Sequence, residues 1–463
     1  MTAAEQLAGL LEPGVVSTDP GDLDAHAHDW APGALLERRR GAPPASPECV
    51  VRPRSTDEVA TLLRWADETA TPVVPWGGGS SVLASARPSG AVVVDLTGLD
   101  DIGVVDEKSR LVRCGAGVTG PALTRHLADA GFLLGHEPQS LAISTVGGWI
   151  ATRACGQLSA RYGGIERLLA GFTAVLPGGR VVTSKTVPRR AAGPDVAALL
   201  IGSEGTLGIV TEAELRVTPI PAERTDLCLR FEHMSAGVAA CRFLAQSGLR
   251  PTLVRLYDPE DAAIFLRHFP EETPGPLLLV SFDGDGSKAR AEEAAVLAGG
   301  RHGDDALVGH WWEHRNDAVD EFRRLMAGDG LLGPHALVDT MEVSGTWSVL
   351  RELYHSMKEK LGAEADIAGC HVSHVYPDGA CLYFTLASAC TDDDEAAAKL
   401  TRWWATGMRT CLDAGGSISH HHGIGRVKAP WLEEELGGWF DVLRAVKKAV
   451  DPNGVMNPGA LGL

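Results

Sequence analysis

The 463-residue chain has no apolar run long enough to span a bilayer and no basic-then-apolar leader at Met1. Neither an integral membrane protein nor an exported precursor is therefore expected. Its nine cysteines are scattered without a C-x-x-C pair, which excludes a zinc finger or a disulfide framework and fits reduced, mostly buried thiols in a cytoplasm. Positive charge is in short supply: 42 lysines and arginines face 60 acids, for a net charge of −18. That balance argues against nucleic acid or an anionic membrane as the main partner. Any anion site must be local, built from loop amides and a few arginines. Hydrophobic content of 44% and charged content of 22% are ordinary for a soluble globular protein, and the length suits two domains or one with a large insertion.

What the chain does have is glycine in concentrated turns. Pro75-Trp76-Gly77-Gly78-Gly79-Ser80-Ser81 lies between the strand-like runs Val73-Val74 and Ala91-Val92-Val93-Val94. Three consecutive glycines permit positive φ and bring bare N–H groups close to whatever occupies the turn, while two serines add hydroxyl donors. Such a turn suits a pyrophosphate; a flexible hairpin loop is the equal alternative. It is not the G-x-G-x-x-G fingerprint, so a Rossmann site is disfavoured.

In chain order, residues 1–45 read as a lead-in that opens with a short amphipathic helix from Thr2 to Leu11, and the folded domain is expected from Cys49-Val50-Val51 onward. Ser55-Thr56-Asp57-Glu58 reads as a capping box opening an amphipathic helix to about Ala70. A second glycine site, Ser144-Thr145-Val146-Gly147-Gly148-Trp149, precedes a helical start, and a third, Gly202-Ser203-Glu204-Gly205-Thr206-Leu207-Gly208, runs into a strand. The runs at 172–176 and 180–184 alternate about Pro177-Gly178-Gly179, a hairpin pattern. Beyond Pro219 and Pro221, two rounds of strand and helix predict a ferredoxin-like α+β domain. Its second round places strands at 372–375 and 380–385 about Pro377-Asp378-Gly379, then a helix over 395–414. The tail carries Ser419-His420-His421-His422-Gly423 and one helix from Pro430 to about Val450.

Three glycine turns in one region suit a large, phosphate-bearing cofactor. The turn at 75–81, the segment Gly135-His136-Glu137-Pro138, the run 144–154, the motif 202–208, Asp378-Gly379-Ala380-Cys381-Leu382-Tyr383-Phe384, the histidine triplet and Val450-Asp451-Pro452-Asn453 recur in one order across most of residues 48–463. In these the chain resembles flavoproteins of the vanillyl-alcohol-oxidase type, with the PCMH-type FAD-binding domain, and among them the alkylglycerone-phosphate synthase subgroup. The resemblance implies an α+β fold with an N-terminal lead-in at 1–45 and a two-subdomain FAD-binding domain at 46–221. A cap or substrate domain at 222–415 follows, and a C-terminal segment at 416–463 returns to the FAD domain.

It also implies dissociable FAD, since Ser80 and Ser81 stand where some relatives carry a flavin-linked histidine. The cofactor-binding positions it transfers are Pro75, Trp76, Gly77, Gly78, Gly79, Ser80, Ser81, Pro138, Ser140, Leu141, Ser144, Thr145, Gly148, Ala151, Thr152, Arg153, Ala154, Glu204, Gly205, Gly208, Ile209 and Val210. A homodimer is implied as well.

The triplet is a poor metal site, because adjacent side chains on an extended strand point to opposite faces; no metal is expected. A histidine near a flavin can shuttle protons near neutral pH, and the resemblance makes His420, His421 and His422 catalytic together with Tyr383. Arg255 is an arginine in an apolar strand-like run, suited to gripping a carboxylate or phosphate, and it matches an arginine tied to function in the synthases. His374, like His371, lies on a strand expected to pair with that of Tyr383; His374 is assigned to substrate. A second substrate arginine of the synthases has no counterpart: Arg323 and Arg324 miss the spacing and Gly328 stands in the matching place. The expected activity is FAD-dependent oxidation of a small hydroxy acid or alcohol, hydride passing to flavin N5. The alternative is alkylglycerone-phosphate synthase chemistry, exchanging an acyl for an alkyl chain on a flavin template. An idle flavoprotein is a third reading, opposed by the intact Tyr383 and triplet.

Overall fold

The computed structural model describes residues 1–269, 272, 275–330 and 332–463. The chain divides into two compact units: one of 1–154, 164–219 and 421–463, the other of 155–163 and 220–420.

The first unit holds two four-stranded sheets. In one, Cys49–Val51, Val92–Asp95 and Val73–Trp76 run parallel, and the short strand Val16–Ser17 adds antiparallel to Cys49–Val51. Ser55 Oγ accepts the Glu58 amide at 3.2 Å and opens the helix Thr56–Thr69, whose buried stripe includes Val59, Leu62, Leu63 and Ala66. These spacings put the apolar residues on one face, which closes over the sheet. The other sheet is antiparallel, in the order Leu111–Gly115, Ile209–Arg216, Leu169–Leu176, Arg180–Thr183. Gly178 and Gly179 make its expected hairpin with φ of 73° and 77°.

Two expectations are corrected. The folded core begins well before Cys49: the expected N-terminal helix forms as Ala3–Leu10, opened by a Thr2–Glu5 capping box, and Leu7, Leu11 and Val15 are core residues alongside Leu62. The tail forms two helices, Ala429–Leu436 and Gly438–Val450, because Gly437 takes φ 54° and ψ −135°, a conformation that ends one helix before the next begins.

The second unit is built on one seven-stranded antiparallel sheet. Its order is Arg301–His302, Arg224–Arg230, Leu277–Asp283, Leu253–Tyr257, Ile367–Ser373, Gly379–Ser388, Leu337–Thr346. The strand expected at 372–375 is Ile367–Ser373, ending where His374 adopts φ 50°. Alternation separates the two faces. Leu256, Val372, Leu382, Phe384, Met341 and Val343 share one, all fully or almost fully buried. Gly237 of the helix Met234–Gln246 lies against Leu256, and Gly407 of the helix Asp393–Asp413 against Met341. The other face carries Arg255, Tyr257, His371, Tyr383 and Glu342, brought into line by the registers Tyr257↔His371, His371↔Tyr383 and Glu342↔Tyr383. No helix among the described residues is long and apolar enough to cross a membrane.

Candidate active site

In the first unit the glycine turn leaves the strand Val73–Trp76 after Pro75 and Trp76. Among the described residues, the amides of 77–82 donate no hydrogen bond within the protein. A run of six amides without an acceptor among the described residues is a ready receptor for phosphate oxygens. The turn is fixed from behind. A Cβ on Gly77 would strike the Thr145 hydroxyl and one on Gly78 the Ile143 carbonyl, so the turn sits flush on the segment leading to Thr145. Thr145 caps the helix Val146–Thr152 through the Gly148 amide, and the Ser144 hydroxyl takes the Trp149 indole N–H at 2.7 Å.

Glu204, with φ 49°, is buried beside this helix, and its amide donates to the Ala151 carbonyl at 2.8 Å. Its carboxylate takes the Ile424 amide at 2.6 Å and the Gly425 amide at 2.9 Å, while burial raises its pKa. Gly205 touches Pro75, and Gly202 touches Arg153. Thus Pro75, Gly77, Gly78, Ser144, Thr145, Gly148, Ala151, Glu204 and Gly205 converge. On the strand that follows Gly208, Ile209 faces the core of the helix Thr56–Thr69 and Val210 the core of the helix Val146–Thr152, against which Leu141 and Ala154 also pack. Trp76 and Pro138 are placed at the loop ends; Gly79, Ser80, Ser81, Ser140, Thr152 and Arg153 lie half-buried or exposed along them. Bare amides, a cradle that tolerates no Cβ and flanking hydroxyls fit the pyrophosphate of FAD.

Behind the turn, Asp29 accepts from the Ala31 amide at 3.2 Å and the Ala86 amide at 3.4 Å. Full burial lifts its pKa to about 7, with Ser81 and Ser85 hydrogen-bonded nearby as opposing influences. His136, 2% exposed, packs edge-on to Trp149 and is held neutral by burial, its pKa pushed down to about 3. His421 and His422 belong to this unit, their rings 4.5 Å apart.

In the second unit the polar sheet face gathers the other candidates. Arg255 is 8% exposed, its Nε donates to the Tyr257 hydroxyl at 2.8 Å, and its guanidinium lies 5.1 Å from the centre of that ring. Among the described residues it has no carboxylate within ion-pair distance. Burying a guanidinium without a counter-charge is costly, so the place is suited to an anionic ligand. His371 stacks on Tyr383 with ring centres 4.7 Å apart, and its Nδ1 lies 2.8 Å from Asp261 Oδ2. Burial, then the Arg255 charge, pushes the His371 pKa down to about 4; burial also raises that of Tyr383, which stays a phenol.

His374 lies past the strand end, away from this row. Its Nδ1 meets Ser159 Oγ at 2.7 Å, and its ring is 4.7 Å from that of His420. His420 Nε2 is 3.0 Å from the Tyr376 hydroxyl, whose pKa burial raises, and the His420 amide donates to Glu342 at 2.5 Å. Cys155, His374 and His420 bring ligand-type atoms within 4.8 Å of one another, but one nitrogen on each ring is already hydrogen-bonded. His371 is on the strand expected to pair with that of Tyr383, as the sequence suggests, whereas Asp261, Glu342 and Tyr376 are site residues that the sequence reading does not single out. Glu342 is brought in by its register with Tyr383, whereas Asp261 reaches His371 from a helix 110 residues earlier in the chain.

Residues 47–185 match the FAD binding domain model and 220–461 the model for FAD linked oxidases, C-terminal domain. The uncharacterized FAD-linked oxidoreductase YgcU of Escherichia coli strain K12 is 32% identical over 438 residues, 90% of this chain and 89% of that protein. Glycolate oxidase subunit GlcD of Bacillus subtilis is 27% identical, covering 90% and 89%. A solved alkyldihydroxyacetonephosphate synthase is 25% identical with a TM-score of 0.81, covering 98% of this chain and 85% of that one. With one model spanning over half of its length, the chain belongs to the FAD-linked oxidases of the vanillyl-alcohol-oxidase type and is an FAD-dependent oxidoreductase.

Proposed function

We propose that the protein oxidises a small 2-hydroxy acid, the carboxylate held by Arg255. The buried guanidinium without a carboxylate partner, on the same sheet face as His371 and Tyr383, carries this proposal. When bound, FAD supplies a two-electron acceptor at its N5. The amides of 77–82 would hold its pyrophosphate, with the segments around Pro138, Thr145, Ala151 and Glu204 against the rest. Arg255 fixes the substrate by its charged end, Tyr383 donates a hydrogen bond to it, and the triplet His420, His421 and His422 carries the released proton onward. The name of the B. subtilis relative, glycolate oxidase subunit, supports the substrate class.

The runner-up is ether-lipid synthase chemistry, favoured by the likeness to the solved synthase. Against it, Arg323 and Arg324 are exposed and engaged with Asp320, Glu321 and Asp329, so neither supports a phosphate at Arg255. An anaerobic screen tests the choice. Flavin bleaching by glycolate or D-lactate supports oxidation. Bleaching by acyl-dihydroxyacetone phosphate with release of a fatty acid replaces it with the synthase reaction. Operation in the cytoplasm as a homodimer completes the proposal; fractionation and light scattering read out both.

A further inference from the structure

We propose that Asp261 and His371 form the proton-accepting unit of this site, with His371 Nε2 as the base and Asp261 as its positioning residue. Anion binding at Arg255 is what makes that base effective. The proposal rests on the hydroxy-acid oxidation put forward above.

Hydrogen-bond chemistry fixes the tautomer. Both Asp261 Oδ2, at 2.8 Å, and Arg255 Nη2, at 3.3 Å, approach His371 Nδ1. A carboxylate only accepts and a guanidinium only donates. The shorter contact therefore has Nδ1–H donating to Asp261, and the guanidinium meets that nitrogen as a charge and not as a hydrogen-bond donor. The one acceptor left on the ring is Nε2, which makes no hydrogen bond among the described residues. An imidazole oriented through Nδ1 by a carboxylate, with Nε2 bare, is the arrangement of a general base.

The surroundings hold this geometry. The helix Pro259–Phe265 is capped by Asp258, which accepts the Asp261 amide at 2.8 Å. Asp258 is tied in turn to Lys358 at 2.7 Å and to the Tyr354 hydroxyl at 3.2 Å. Gly369, two residues before His371 on its strand, lets the helix settle: a Cβ there would lie 3.0 Å from Asp261 Cβ. The ring is clamped between the sheet neighbours Tyr257, at 5.8 Å, and Tyr383, at 4.7 Å.

The titratable and charged groups facing His371 are Arg255 and Tyr257 on one strand, Tyr383 on the other, and Asp261 on the helix. With Arg255 unneutralised, the imidazole is a weak base, its pKa near 4 through burial and the guanidinium charge. A carboxylate bound to Arg255 cancels that repulsion and raises the pKa toward the working pH. In the step itself the substrate O–H bond breaks to Nε2 and its electron pair closes the C=O bond. Bound FAD would supply the two-electron acceptor for the hydride on the same carbon, so that a 2-hydroxy acid would become a 2-keto acid. The resulting imidazolium is neutralised by Asp261.

The test uses full-length, FAD-loaded protein carrying 15N-histidine, with the His371 signals identified by their loss in His371→Gln. The expected spectrum shows Nδ1 protonated and Nε2 bare at pH 6. Saturating acetate, a carboxylate with no hydroxyl to oxidise, should raise the titration midpoint by about one pH unit. In Arg255→Met the midpoint should start higher and ignore acetate. Asp261→Asn should redistribute the tautomer and slow glycolate-driven flavin reduction, with FAD content unchanged; His371→Gln should slow it about 100-fold or more. A protonated Nε2 at pH 6, or a midpoint indifferent to acetate, overturns the proposal. If no hydroxy acid reduces the wild-type flavin while the nitrogen spectra are as expected, the oxidation chemistry fails and the anion-responsive dyad stands.

Discussion

The Glu342 carboxylate lies 2.5 Å from the backbone amide of His420, and its other oxygen takes the Ser419 hydroxyl at 2.9 Å. Glu342 is fully buried on the strand Leu337–Thr346, so a rigid sheet position sets the start of the triplet. Replacing Glu342 by Ala leaves a buried donor without its acceptor, which costs about 2 kcal/mol. Glu342→Gln keeps one acceptor and should preserve the fold while misplacing His420. We expect kcat to fall about 100-fold in Glu342→Gln, with the 450 nm absorbance of bound FAD intact. Steady-state kinetics beside a visible spectrum check both.

Gly78→Val should yield colourless protein. Any Cβ at 78 meets the Ile143 carbonyl, so the turn must lift from the segment that leads to Thr145 and the row of amides is lost. The ratio of 450 to 280 nm absorbance after purification reads the outcome. A fully yellow variant would show that the turn does not hold the pyrophosphate.

His421→Ala should lose about 10²–10⁴-fold in turnover, the range for removing a proton-transfer group, while binding FAD as tightly as wild type. Retained activity with retained FAD would make the triplet a structural loop. Flavin reduction and reoxidation rates, measured separately, locate the defect.

Asp29 imposes a pH dependence of definite sign. Burial holds its folded pKa at about 7, above the ordinary aspartate value of 3.8. Its contribution is fully present below pH 3.8 and is lost as pH rises to about 7, because the unfolded chain releases the proton first. The slope within that window is about −1.4 kcal/mol per pH unit. Asp29→Asn cannot ionise, so its melting temperature should lack this component and exceed that of wild type at pH 8. Parallel melting curves from pH 4 to 8 for the two proteins would contradict a protonated Asp29.

Much of the fold is legible in local pattern. Ser55 and Glu58 mark the helix Thr56–Thr69, and Pro177-Gly178-Gly179 marks a hairpin, because caps and turns are decided by a few adjacent residues. What escapes is decided at a distance. Leu7, Leu11 and Val15 read as part of a lead-in until the sheet that buries them is known. His371 and His374 both look like strand residues. The strand ends at Ser373, so His371 faces Arg255 and His374 turns to Ser159. Asp258-Pro259 marks a helix start in the sequence, but the meeting of Asp261 with His371 depends on Gly369 leaving room, which spacing does not reveal. Arg255 and Tyr383 were found through family likeness; their alignment on one face follows from pairing across more than 100 residues.

The most direct test of the account is anaerobic stopped-flow reduction of the bound flavin at 450 nm, comparing glycolate and ethanol with wild type and Arg255→Met. We predict saturable bleaching of wild type by glycolate and little by ethanol, with about 100-fold weaker glycolate binding in Arg255→Met, as loss of a buried charge pair requires. Equal reduction by both compounds, or an Arg255→Met protein indistinguishable from wild type, would contradict an anion-gripping oxidase.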